Sequence, residues 1–506
     1  MVPLAVSPAT LVPMSVLAID AGTTGVTALV ITADGAVAGR GYQEFRQFYP
    51  EPGWVEHLPE GIWHATQAAC GQALDQAGRD TVSCVGITNQ RETAVVWDRA
   101  TLTAPRRAIV WQDRRTAGIC ARLREQGYEE RVTALTGLRL DPYFTATKLT
   151  WLAENDPQVW DGVTDGSLAV GTVDSYLIAR LTGGRRHVTD ASNASRTLLF
   201  DIEAGQWSAE LCQLFGVPPH ALPEVVPSTG LVAHTDPDAF GGLDLPVAGI
   251  AGDQQAAMFG QACFSPGAAK CTYGTGSFVL CNTGTSIVRS RAGLLSTVAW
   301  MDGSGALTYA LEGSVFVTGA VVQWLRDGLG LLDNAAQSEA LARSVPDSGG
   351  VVFVPALTGL GAPYWDPDAR GAMFGLTRGT TRAHLVRAAL EAIAFEVRDV
   401  ADLIAAEPAS PPVGDVLRVD GGASANDLLM QVQADQLQVT VERPVVAETT
   451  ALGAAFLAGL ATGVWRSQAE LAATWQLDRR FVPAARDEQA YARWRKAVQS
   501  TMGWAR

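Results

Sequence analysis

The sequence predicts an α/β fold built from two related domains, and three observations support that prediction. Apolar strand-like runs alternate with helix-like runs, a pattern typical of layered α/β proteins. A strand near each end of the chain leads an aspartate into a glycine-containing turn, at residues 20–25 and 420–426. At 506 residues the chain exceeds what one hydrophobic core usually supports, so two or more domains are expected.

The elements of the first domain are predicted from hydrophobic periodicity. Two apolar runs on either side of the first turn indicate a hairpin, and a third strand follows the turn at Asp34 and Gly35. A helical stretch comes next, and the apolar run after it predicts a strand that ends in polar residues. In chain order these are strands over residues 15–20, 27–32 and 36–42, a helix over 59–77, and a strand over 82–87 followed by polar residues 88–92.

The second half of the chain repeats this order. Strand-like runs over residues 268–273 and 277–282 flank a Gly-Thr-Gly turn. A helix is predicted over residues 381–407, and a strand over residues 416–420 follows it. Hairpin, helix and strand therefore occur twice, which predicts an internal duplication with its boundary near residue 260.

The duplication defines the predicted domains. The first domain is expected over residues 14–260 and the second over residues 261–506. Residues 1–13 are small and apolar but lack the basic region of a signal peptide. We interpret them as a disordered or non-native extension that precedes Met14.

Three turns have the composition of a phosphate-binding loop. The third lies between the other two, at residues 272–277, and strand-like runs flank it as well. Glycines allow backbone N–H groups to approach an anion closely, and an aspartate can hold Mg²⁺ directly or through water. A single Asp-Gly turn is more often an ordinary hairpin turn. Three such turns, each with Thr, Ser or Asn, favour a triphosphate held between two lobes.

Composition and missing motifs exclude several classes of protein. Apolar residues make up 47% and charged residues 18%, as in a packed globular protein. The formal net charge of -14 disfavours a nucleic-acid-binding protein. The Walker A motif, the Rossmann glycine motif and the protein-kinase catalytic loop are absent from the sequence, and its histidines lack metal-ligand spacing.

Cysteine usage and hydropathy bear on the compartment. The seven cysteines are odd in number and form no C-x-x-C, so we expect core thiols in a reducing compartment such as the cytoplasm. The apolar runs are too short to span a bilayer, so stable membrane insertion is not expected.

Many segments resemble the FGGY family of carbohydrate kinases. Residues 143–155 and 371–391 resemble its two signatures. Other segments resemble more closely the members that phosphorylate glycerol, in family order from residue 15 almost to the end of the chain. These are PGWVEH (52–57), GITNQRET (86–93), GTVDSYLI (171–178), HVTDASNASRT (187–197), GIAGDQQAAMFGQ (249–261), TYGTGSF (272–278), PALTGLGAPYWDPDARG (355–371) and LRVDGGASAN (417–426).

The resemblance implies a fold and a mode of nucleotide binding. The fold would be similar to the actin/hexokinase superfamily, with two related ribonuclease H-like domains and a nucleotide cleft between them. ATP and Mg²⁺ would bind in this cleft, and closure of the lobes would exclude water from the reaction. The implied nucleotide-binding residues are Thr23, Thr24, Gly25, Thr275, Gly319, Gln323, Gly422 and Asn426, and Asp20 would hold the metal, through water.

The resemblance also implies a pocket for the hydroxyls of glycerol. Arg91 would donate to them and Glu92 would accept from them. Asp253 would be the general base, because a carboxylate can accept the proton of a weakly nucleophilic alcohol. Without the resemblance, a surface ion pair for Arg91 and Glu92 and a helix cap for Asp253 would be the simpler interpretations. The implied substrate-binding residues are Thr23, Arg91, Glu92, Trp111, Tyr143, Asp253, Gln254 and Phe278.

Two departures from the family pattern lie in the first phosphate turn. Members commonly have Gln after the aspartate and an Arg shortly after the threonines. This chain has Ala21 and Thr27 at those places. Because the missing Arg would lie near the phosphates, weaker nucleotide binding is expected here. The residues implied in the chemistry, Asp20, Thr23, Thr24 and Asp253, all remain.

A further departure concerns regulation. Some members bind fructose 1,6-bisphosphate through a Gly-Gly loop followed by Arg. The corresponding stretch here, residues 241–246, has no Arg and carries Asp244. Insensitivity to the bisphosphate is therefore predicted.

The sequence thus predicts ATP-dependent phosphorylation of glycerol to sn-glycerol 3-phosphate, as in glycerol catabolism, by a cytoplasmic homodimer or homotetramer. One alternative is a related kinase for another polyol or a ketose. It is disfavoured because Arg91, Glu92 and Tyr143 together match the glycerol pattern. The other alternative is an actin-like, non-catalytic nucleotide-binding protein, which would not need an intact set of polyol-binding residues.

Overall fold

The computed structural model describes residues 14–411 and 414–505, so the predicted extension over residues 1–13 lies outside the described residues. Elements are numbered in chain order. Up to residue 260 the strands are β1 (Ser15–Ala21), β2 (Gly25–Ile31), β3 (Val37–Glu44), β4 (Gln47–Phe48), β5 (Glu56–His57), β6 (Val82–Asn89), β7 (Val95–Asp98), β8 (Ala108–Ile109), β9 (Leu168–Gly171), β10 (Val188–Asp190), β11 (Phe200–Asp201), β12 (Gln206–Trp207), β13 (Glu224–Val226), β14 (Thr229–His234) and β15 (Pro246–Gly252). The helices of this part are α1 (Pro59–Ala77), α2 (Ala117–Glu125), α3 (Glu129–Thr136), α4 (Thr145–Asn155), α5 (Pro157–Asp165), α6 (Val173–Leu181), α7 (Ala191–Ala194), α8 (Ala209–Phe215) and α9 (Asp253–Gly260).

The remainder of the chain forms the second set of elements. Its strands are β16 (Ala269–Tyr273), β17 (Ser277–Gly284), β18 (Leu295–Met301), β19 (Leu307–Val315), β20 (Val352–Val354), β21 (Ala372–Phe374), β22 (Val416–Asp420), β23 (Thr440–Pro444) and β24 (Leu477–Phe481). Its helices are α10 (Gly319–Asp327), α11 (Gln337–Arg343), α12 (Arg382–Ala406), α13 (Asp427–Leu437), α14 (Thr449–Thr462), α15 (Gln468–Thr474) and α16 (Glu488–Thr501).

The first large sheet has the strand order β14-β15-β6-β1-β2-β3. Strands β1 and β2 form an antiparallel hairpin, and β1, β6 and β15 run parallel. Leu17 and Ile19 pack in the core that includes α1, whereas Val16 and Ala18 pack in the core that includes α14. Because both faces of β1 are covered, its residues 16–19 are all apolar instead of alternating.

The second large sheet repeats this topology, with the order β18-β19-β17-β16-β22-β23-β24. Strands β16 and β17 form an antiparallel hairpin, and β16, β22 and β23 run parallel. Helices α12 and α13 pack in the core of this sheet. Each sheet is thus built around a hairpin and two further parallel strands, which is the duplication that the sequence pattern predicts.

Helices α9 and α14 share one core with residues of both large sheets. Helix α14 comes from the last part of the chain, yet it packs on β1, β6 and β15 of the first sheet. The two helices approach very closely, since a Cβ atom at Gly453 would lie 1.8 Å from the carbonyl oxygen of Ala256. This packing brings residues from distant parts of the chain to the same end of β1.

The main predicted elements agree closely with the structure. Helix α1 and strand β22 have the predicted bounds. Strand β2 begins at Gly25, two residues before the prediction, because Gly25 pairs with Glu44 and Val26 pairs with Ala21. Helix α12 begins after Thr381, whose side chain takes part in a capping box.

Two global expectations can also be compared with the structure. All seven cysteines are buried and none forms a disulfide, as the sequence predicts. Within residues 14–411 and 414–505, none of the helices combines the length and the apolar character that crossing a membrane requires.

Candidate active site

The polar segment after β6 is buried and does not lie on the surface. Arg91 is 2% exposed and Glu92 is 1% exposed, so the simpler interpretation of a surface ion pair is wrong. Glu92 also has a positive φ of 61°. A left-handed conformation costs energy in a residue other than glycine and is concentrated at functional sites. Burial of charge and backbone strain together mark this segment as a candidate site.

Arg91 is the centre of a polar cluster. Its Nη1 and Nη2 donate to the two carboxylate oxygens of Glu312 over 2.6 and 3.0 Å. Nη2 also donates to the hydroxyl of Tyr143 over 3.1 Å, and Nη1 to Oε1 of Gln255 over 3.2 Å. Its Nε lies 3.2 Å from Oδ1 of Asp253. The structure therefore brings together Arg91, Tyr143 and Asp253.

Two members of this cluster, Arg196 and Glu312, were missed from the sequence. Arg196 donates from Nε to Glu92 over 2.8 Å and from Nη2 to Glu312 over 2.9 Å. Burial alone would raise the pKa of Glu312, but the charges of Arg196 and Arg91 outweigh it and lower the pKa to about 2. The available signal for Glu312 was that it is the one charged residue in the mostly apolar strand β19.

Three aromatic side chains form a wall beside the cluster. The ring of Trp111 lies 5.6 Å from that of Tyr143 and 6.4 Å from that of Phe278, both edge-on. The guanidinium of Arg91 lies 5.8 Å from the ring of Phe278. The predicted apolar and polar parts of the pocket therefore adjoin, an arrangement that suits a ligand with both carbon and hydroxyl surfaces.

Asp253 begins α9, directly after β15. Its side chain is 29% exposed, so the carboxylate is open on one side. Oδ1 accepts a hydrogen bond from the backbone N–H of Gln254 over 2.7 Å, which is a local helix-terminus contact of the kind the simpler interpretation assumed. Burial raises the pKa of Asp253, while Arg91 opposes the rise. A carboxylate with raised basicity and an open side can accept a proton.

The side chain of Gln254 is buried and bonded to a buried lysine. Its Oε1 accepts a hydrogen bond from Nζ of Lys270 over 2.5 Å. Lys270 is itself fully buried, and it also donates to Thr272 over 2.8 Å. Desolvation lowers the pKa of Lys270. This contact leaves the amide nitrogen of Gln254 as the group that could reach a ligand.

Asp20 stands at the end of β1, where the sequence places the metal. Its carboxylate accepts no hydrogen bond from the described residues. Burial raises its pKa to about 7, and the negative charges of Asp253 and Glu448 add to the rise. An unbonded carboxylate among like charges fits Mg²⁺, which takes oxygen ligands. In the part of the chain that the structure describes, no group of three or more metal-ligating side chains converges, so the other ligands would come from phosphate and water.

The threonines of the first turn lie between β1 and β2. Thr24 is exposed and Thr23 is partly buried, and Thr23 accepts a hydrogen bond from Nε1 of Trp111 over 3.0 Å. Gly25 is buried, and a Cβ atom there would lie 2.8 Å from the carbonyl oxygen of Gln43. Packing between strands is thus a sufficient reason for glycine at this position. Thr27 is paired with Asp20 across the hairpin.

The aspartate of the other turn is used differently. Asp420 is 2% exposed, and its Oδ2 accepts hydrogen bonds from Gln261 over 2.9 Å and from Thr449 over 2.6 Å. These bonds tie β22 to the end of α9 and the start of α14. Of the two aspartates, Asp20 is therefore the one whose oxygens remain available for a cation.

The second sheet carries a cavity of about 630 Å³. Much of its wall is apolar and includes Val322, Ala335, Ala336 and Leu429. These four residues were not predicted from the sequence, because they form no motif. Asn426 donates from its side chain to Ser338 over 3.3 Å at the edge of the cavity. An apolar cleft with a few polar groups is typical of a small-molecule site. The cavity is lined by all five nucleotide-binding residues predicted in this half, namely Thr275, Gly319, Gln323, Gly422 and Asn426.

The cavity and the aromatic wall share one hairpin. Thr275 lines the cavity from the turn between β16 and β17, and Phe278 of the aromatic wall lies on β17 of the same hairpin. A ligand in the cavity would therefore contact the hairpin that also carries part of the aromatic wall. The site as a whole can bring a phosphorylated ligand to a polar, partly apolar acceptor pocket.

Family models match most of the chain. Residues 15–260 match the N-terminal domain of the FGGY family of carbohydrate kinases, and residues 269–462 match its C-terminal domain. The chain belongs to the FGGY family of carbohydrate kinases. The resemblance recognised in the two signature segments is thereby confirmed.

Curated relatives are similar over nearly their whole length. Glycerol kinase 2 of Thermotoga maritima is 53% identical over 494 residues, which is 97% of this chain and 99% of the relative. Glycerol kinase of Symbiobacterium thermophilum is 55% identical over 495 residues, with coverage of 97% and 99%. The crystal structure of Plasmodium falciparum glycerol kinase with ADP has a TM-score of 0.87 and 34% identity, and covers 97% of this chain and 98% of that one. The predicted two-domain kinase fold is confirmed.

Proposed function

We propose that this FGGY kinase transfers the γ-phosphoryl group of ATP to a terminal hydroxyl of glycerol, giving sn-glycerol 3-phosphate and ADP. The observation that carries the proposal is the cluster of buried Arg91, Glu92 and Tyr143 with the partly exposed Asp253, beside an aromatic wall. Its polar groups and apolar rings match the two surfaces of a short polyol. Curated relatives with more than half of their residues identical are named glycerol kinase.

The acceptor is held by groups of opposite hydrogen-bonding character. Arg91 and Tyr143 supply donors, and Glu92 supplies a carboxylate oxygen that accepts from a hydroxyl. Gln254 offers its amide nitrogen. Trp111 and Phe278 cover the carbon chain. A site built to bond hydroxyls rejects ligands that lack them, because its own buried polar groups would then be left unpaired.

Asp253 is the proposed general base. Its open carboxylate accepts the hydroxyl proton as the new P–O bond forms to the terminal oxygen of glycerol. The bond from the γ-phosphorus to the bridging oxygen breaks, and ADP leaves with the bridging oxygen and its electron pair. The proton then passes from Asp253 to solvent. In-line alignment of the two oxygens supplies most of the remaining acceleration.

The donor is held by both lobes. Thr23, Thr24 and the backbone around Gly25 would bind the phosphates, and the cavity of the second sheet would take the nucleoside. Asp20 would hold Mg²⁺, which supplies neutralisation of phosphate charge when bound. The unbonded state of the Asp20 carboxylate and its raised pKa support this assignment.

The proposal extends to organisation and compartment. Two domains, over residues 14–260 and 261–506, would close on the substrates, and the chain would assemble as a homodimer or homotetramer. Seven buried cysteines without a disulfide support a reducing compartment such as the cytoplasm. The mass of the purified protein in solution tests the assembly directly.

A substrate panel tests the proposed activity. ADP release and phosphorylated product are measured with glycerol, erythritol, ribitol, xylulose and dihydroxyacetone at matched concentrations. The proposal expects the highest kcat/KM with glycerol, with the phosphate on a terminal carbon. A higher kcat/KM for another acceptor would favour a related polyol or ketose kinase, and turnover with none of them would favour a non-catalytic nucleotide-binding protein.

A further inference from the structure

Four buried charges form a ring beside the acceptor pocket, which the 3.7 Å approach of Arg91 Nε to Oε1 of Glu92 closes. Arg91 and Glu92 follow β6, Arg196 follows α7, and Glu312 lies in β19 of the other sheet. Each is at most 2% exposed. Two positive and two negative charges balance within the ring. Three members come from the first part of the chain, so Glu312 joins the second sheet to the acceptor pocket of the first.

Glu312 fixes the orientation of Arg91. Its two oxygens accept from the two terminal nitrogens of Arg91 over 2.6 and 3.0 Å. Oε1 also accepts from Arg196 over 2.9 Å and from the hydroxyl of Ser314 over 3.2 Å. Such a bidentate contact holds the guanidinium in one plane. Its remaining edge, with Nε, is thereby directed at Asp253.

Arg196 fixes Glu92 in the same way. One guanidinium bridges Oε1 of Glu92, over 2.8 Å, and Oε1 of Glu312, over 2.9 Å. The guanidinium also lies 5.6 Å from the ring of Tyr143 and 5.3 Å from the ring of Phe144. The second carboxylate oxygen of Glu92 accepts no hydrogen bond from residues 14–411 and 414–505. That oxygen is left for a ligand hydroxyl.

We infer that Glu312 and Arg196 are positioning residues that set the affinity and selectivity of the acceptor pocket. Glu312 aims Arg91 between Asp253 and Tyr143, and Arg196 leaves one oxygen of Glu92 available for the acceptor. Neither residue needs to touch the acceptor. The inference rests on the proposed function, because it assumes that Arg91 and Glu92 bind the acceptor.

Arg196→Lys separates orientation from charge. Lysine keeps the positive charge, but its single nitrogen cannot reproduce the planar bridge between Glu92 and Glu312. We expect KM for glycerol to rise about ten- to a hundredfold, which is the usual loss of affinity when one charge-assisted hydrogen bond to a ligand is lost. KM for ATP should change by less than about twofold, because neither Arg196 nor Glu312 lines the nucleotide cavity.

Glu312→Gln tests the partner. Glutamine keeps the shape but replaces one accepting oxygen with a donor, which opposes a nitrogen of Arg91. As for Arg196→Lys, we expect KM for glycerol to rise about ten- to a hundredfold and KM for ATP to change little. The ratio of kcat/KM for glycerol to kcat/KM for erythritol should also decrease, because an Arg91 side chain that is held less firmly discriminates less between hydroxyl arrangements.

Arg398→Lys is the matched control. Arg398 is 5% exposed and bridges two partners: its Nη2 donates to both oxygens of Glu488, over 3.0 and 2.8 Å, and its Nη1 donates to Gln436 over 3.0 Å. This variant loses a guanidinium bridge between two side chains outside the acceptor pocket. Its Tm should fall while both KM values stay at wild-type levels. The rise in Tm caused by ADP shows for every variant whether the nucleotide site is folded.

The outcomes are distinct. A selective rise in KM for glycerol in Arg196→Lys and Glu312→Gln supports the inference. Unchanged KM for glycerol in folded variants overturns it while leaving the proposed function intact. Loss of ADP stabilisation in both variants also overturns it, because the ring would then hold the fold and not the pocket. Absence of glycerol phosphorylation by the wild-type enzyme would instead reject the proposed function.

Discussion

Trp111 donates a hydrogen bond from its indole Nε1 to Oγ1 of Thr23 over 3.0 Å. Thr23 lies in the turn between β1 and β2, whereas the ring of Trp111 faces Tyr143 and Phe278 in the aromatic wall. One hydrogen bond therefore connects the proposed phosphate turn to the proposed acceptor pocket. Since phosphoryl transfer depends on mutual alignment of donor and acceptor, this bond is expected to act on turnover.

Trp111→Phe keeps the apolar wall and removes the donor. A hydrogen bond of this kind contributes about 1 kcal/mol, so kcat should fall roughly fivefold with little change in KM for glycerol. Steady-state kinetics measure this. Trp207→Phe is the control. In the wild type the indole Nε1 of Trp207 donates to the carbonyl oxygen of Pro223 over 2.7 Å, and this variant loses that bond outside the candidate site. Equal effects of the two variants on kcat would contradict the connection.

Arg91→Ala and Glu92→Ala are expected to damage use of glycerol more than use of ATP. Each removes a charged partner from a buried group: Glu312 loses its bidentate contact in the first variant, and Arg196 loses one of its two carboxylates in the second. Breaking a buried ion pair costs about 3–5 kcal/mol, so a lower Tm should accompany the loss of activity. Kinetics and thermal unfolding with and without ADP measure both. Wild-type efficiency with glycerol in either folded variant would reject their assignment to the pocket.

Thr27→Arg should strengthen nucleotide binding. Thr27 is paired with Asp20 across the hairpin, beside the phosphate turn. A new charge-assisted contact is worth about 1.5–3 kcal/mol, so KM for ATP should fall by up to roughly ten- to a hundredfold. Turnover should stay constant or decrease, because ADP would leave more slowly. If KM for ATP rises, the pocket has been rebuilt around Thr27.

Fructose 1,6-bisphosphate should leave activity unchanged at millimolar concentration. The loop over residues 241–246 has no Arg, and Asp244 adds a negative charge there. Asp244 lies 2.9 Å from Nδ1 of His234, and both side chains are exposed. A polyanion would meet repulsion from Asp244 at this loop. An inhibition curve with glycerol and ATP near their KM values measures the effect, and clear inhibition would refute the prediction.

Most of the fold follows from local sequence signals. Strand β1 carries apolar residues on both faces because both are covered. Strand β2, its hairpin partner, begins directly after the turn at residues 22–24. The packing of α14 on the first sheet had no such signal. It depends on contacts such as that of Gly453 with Ala256, which are distant in sequence and involve small residues without a distinctive pattern.

The residues of the candidate site could be proposed from the sequence wherever they lie in a recognisable motif. Arg91, Glu92 and Asp253 lie in segments that match the family, and the structure brings them together. Glu312 could not be found this way, because one glutamate in an apolar strand has no periodicity and its partners lie in another part of the chain. Asp420 looked equivalent to Asp20 in sequence, but its hydrogen bonds to Gln261 and Thr449 separate their roles.

Asp253→Asn tests the central claim, which is that Asp253 takes the hydroxyl proton of glycerol during phosphoryl transfer from ATP. The amide keeps the shape of the side chain but cannot accept this proton. Single-turnover rates and glycerol affinity should therefore be measured together in the wild type and in this variant, at saturating ATP and Mg²⁺. The account predicts a fall of about 10²- to 10⁴-fold in the rate of glycerol phosphorylation, with a much smaller change in glycerol affinity. A rate close to that of the wild type would contradict it and remove Asp253 from the role of base.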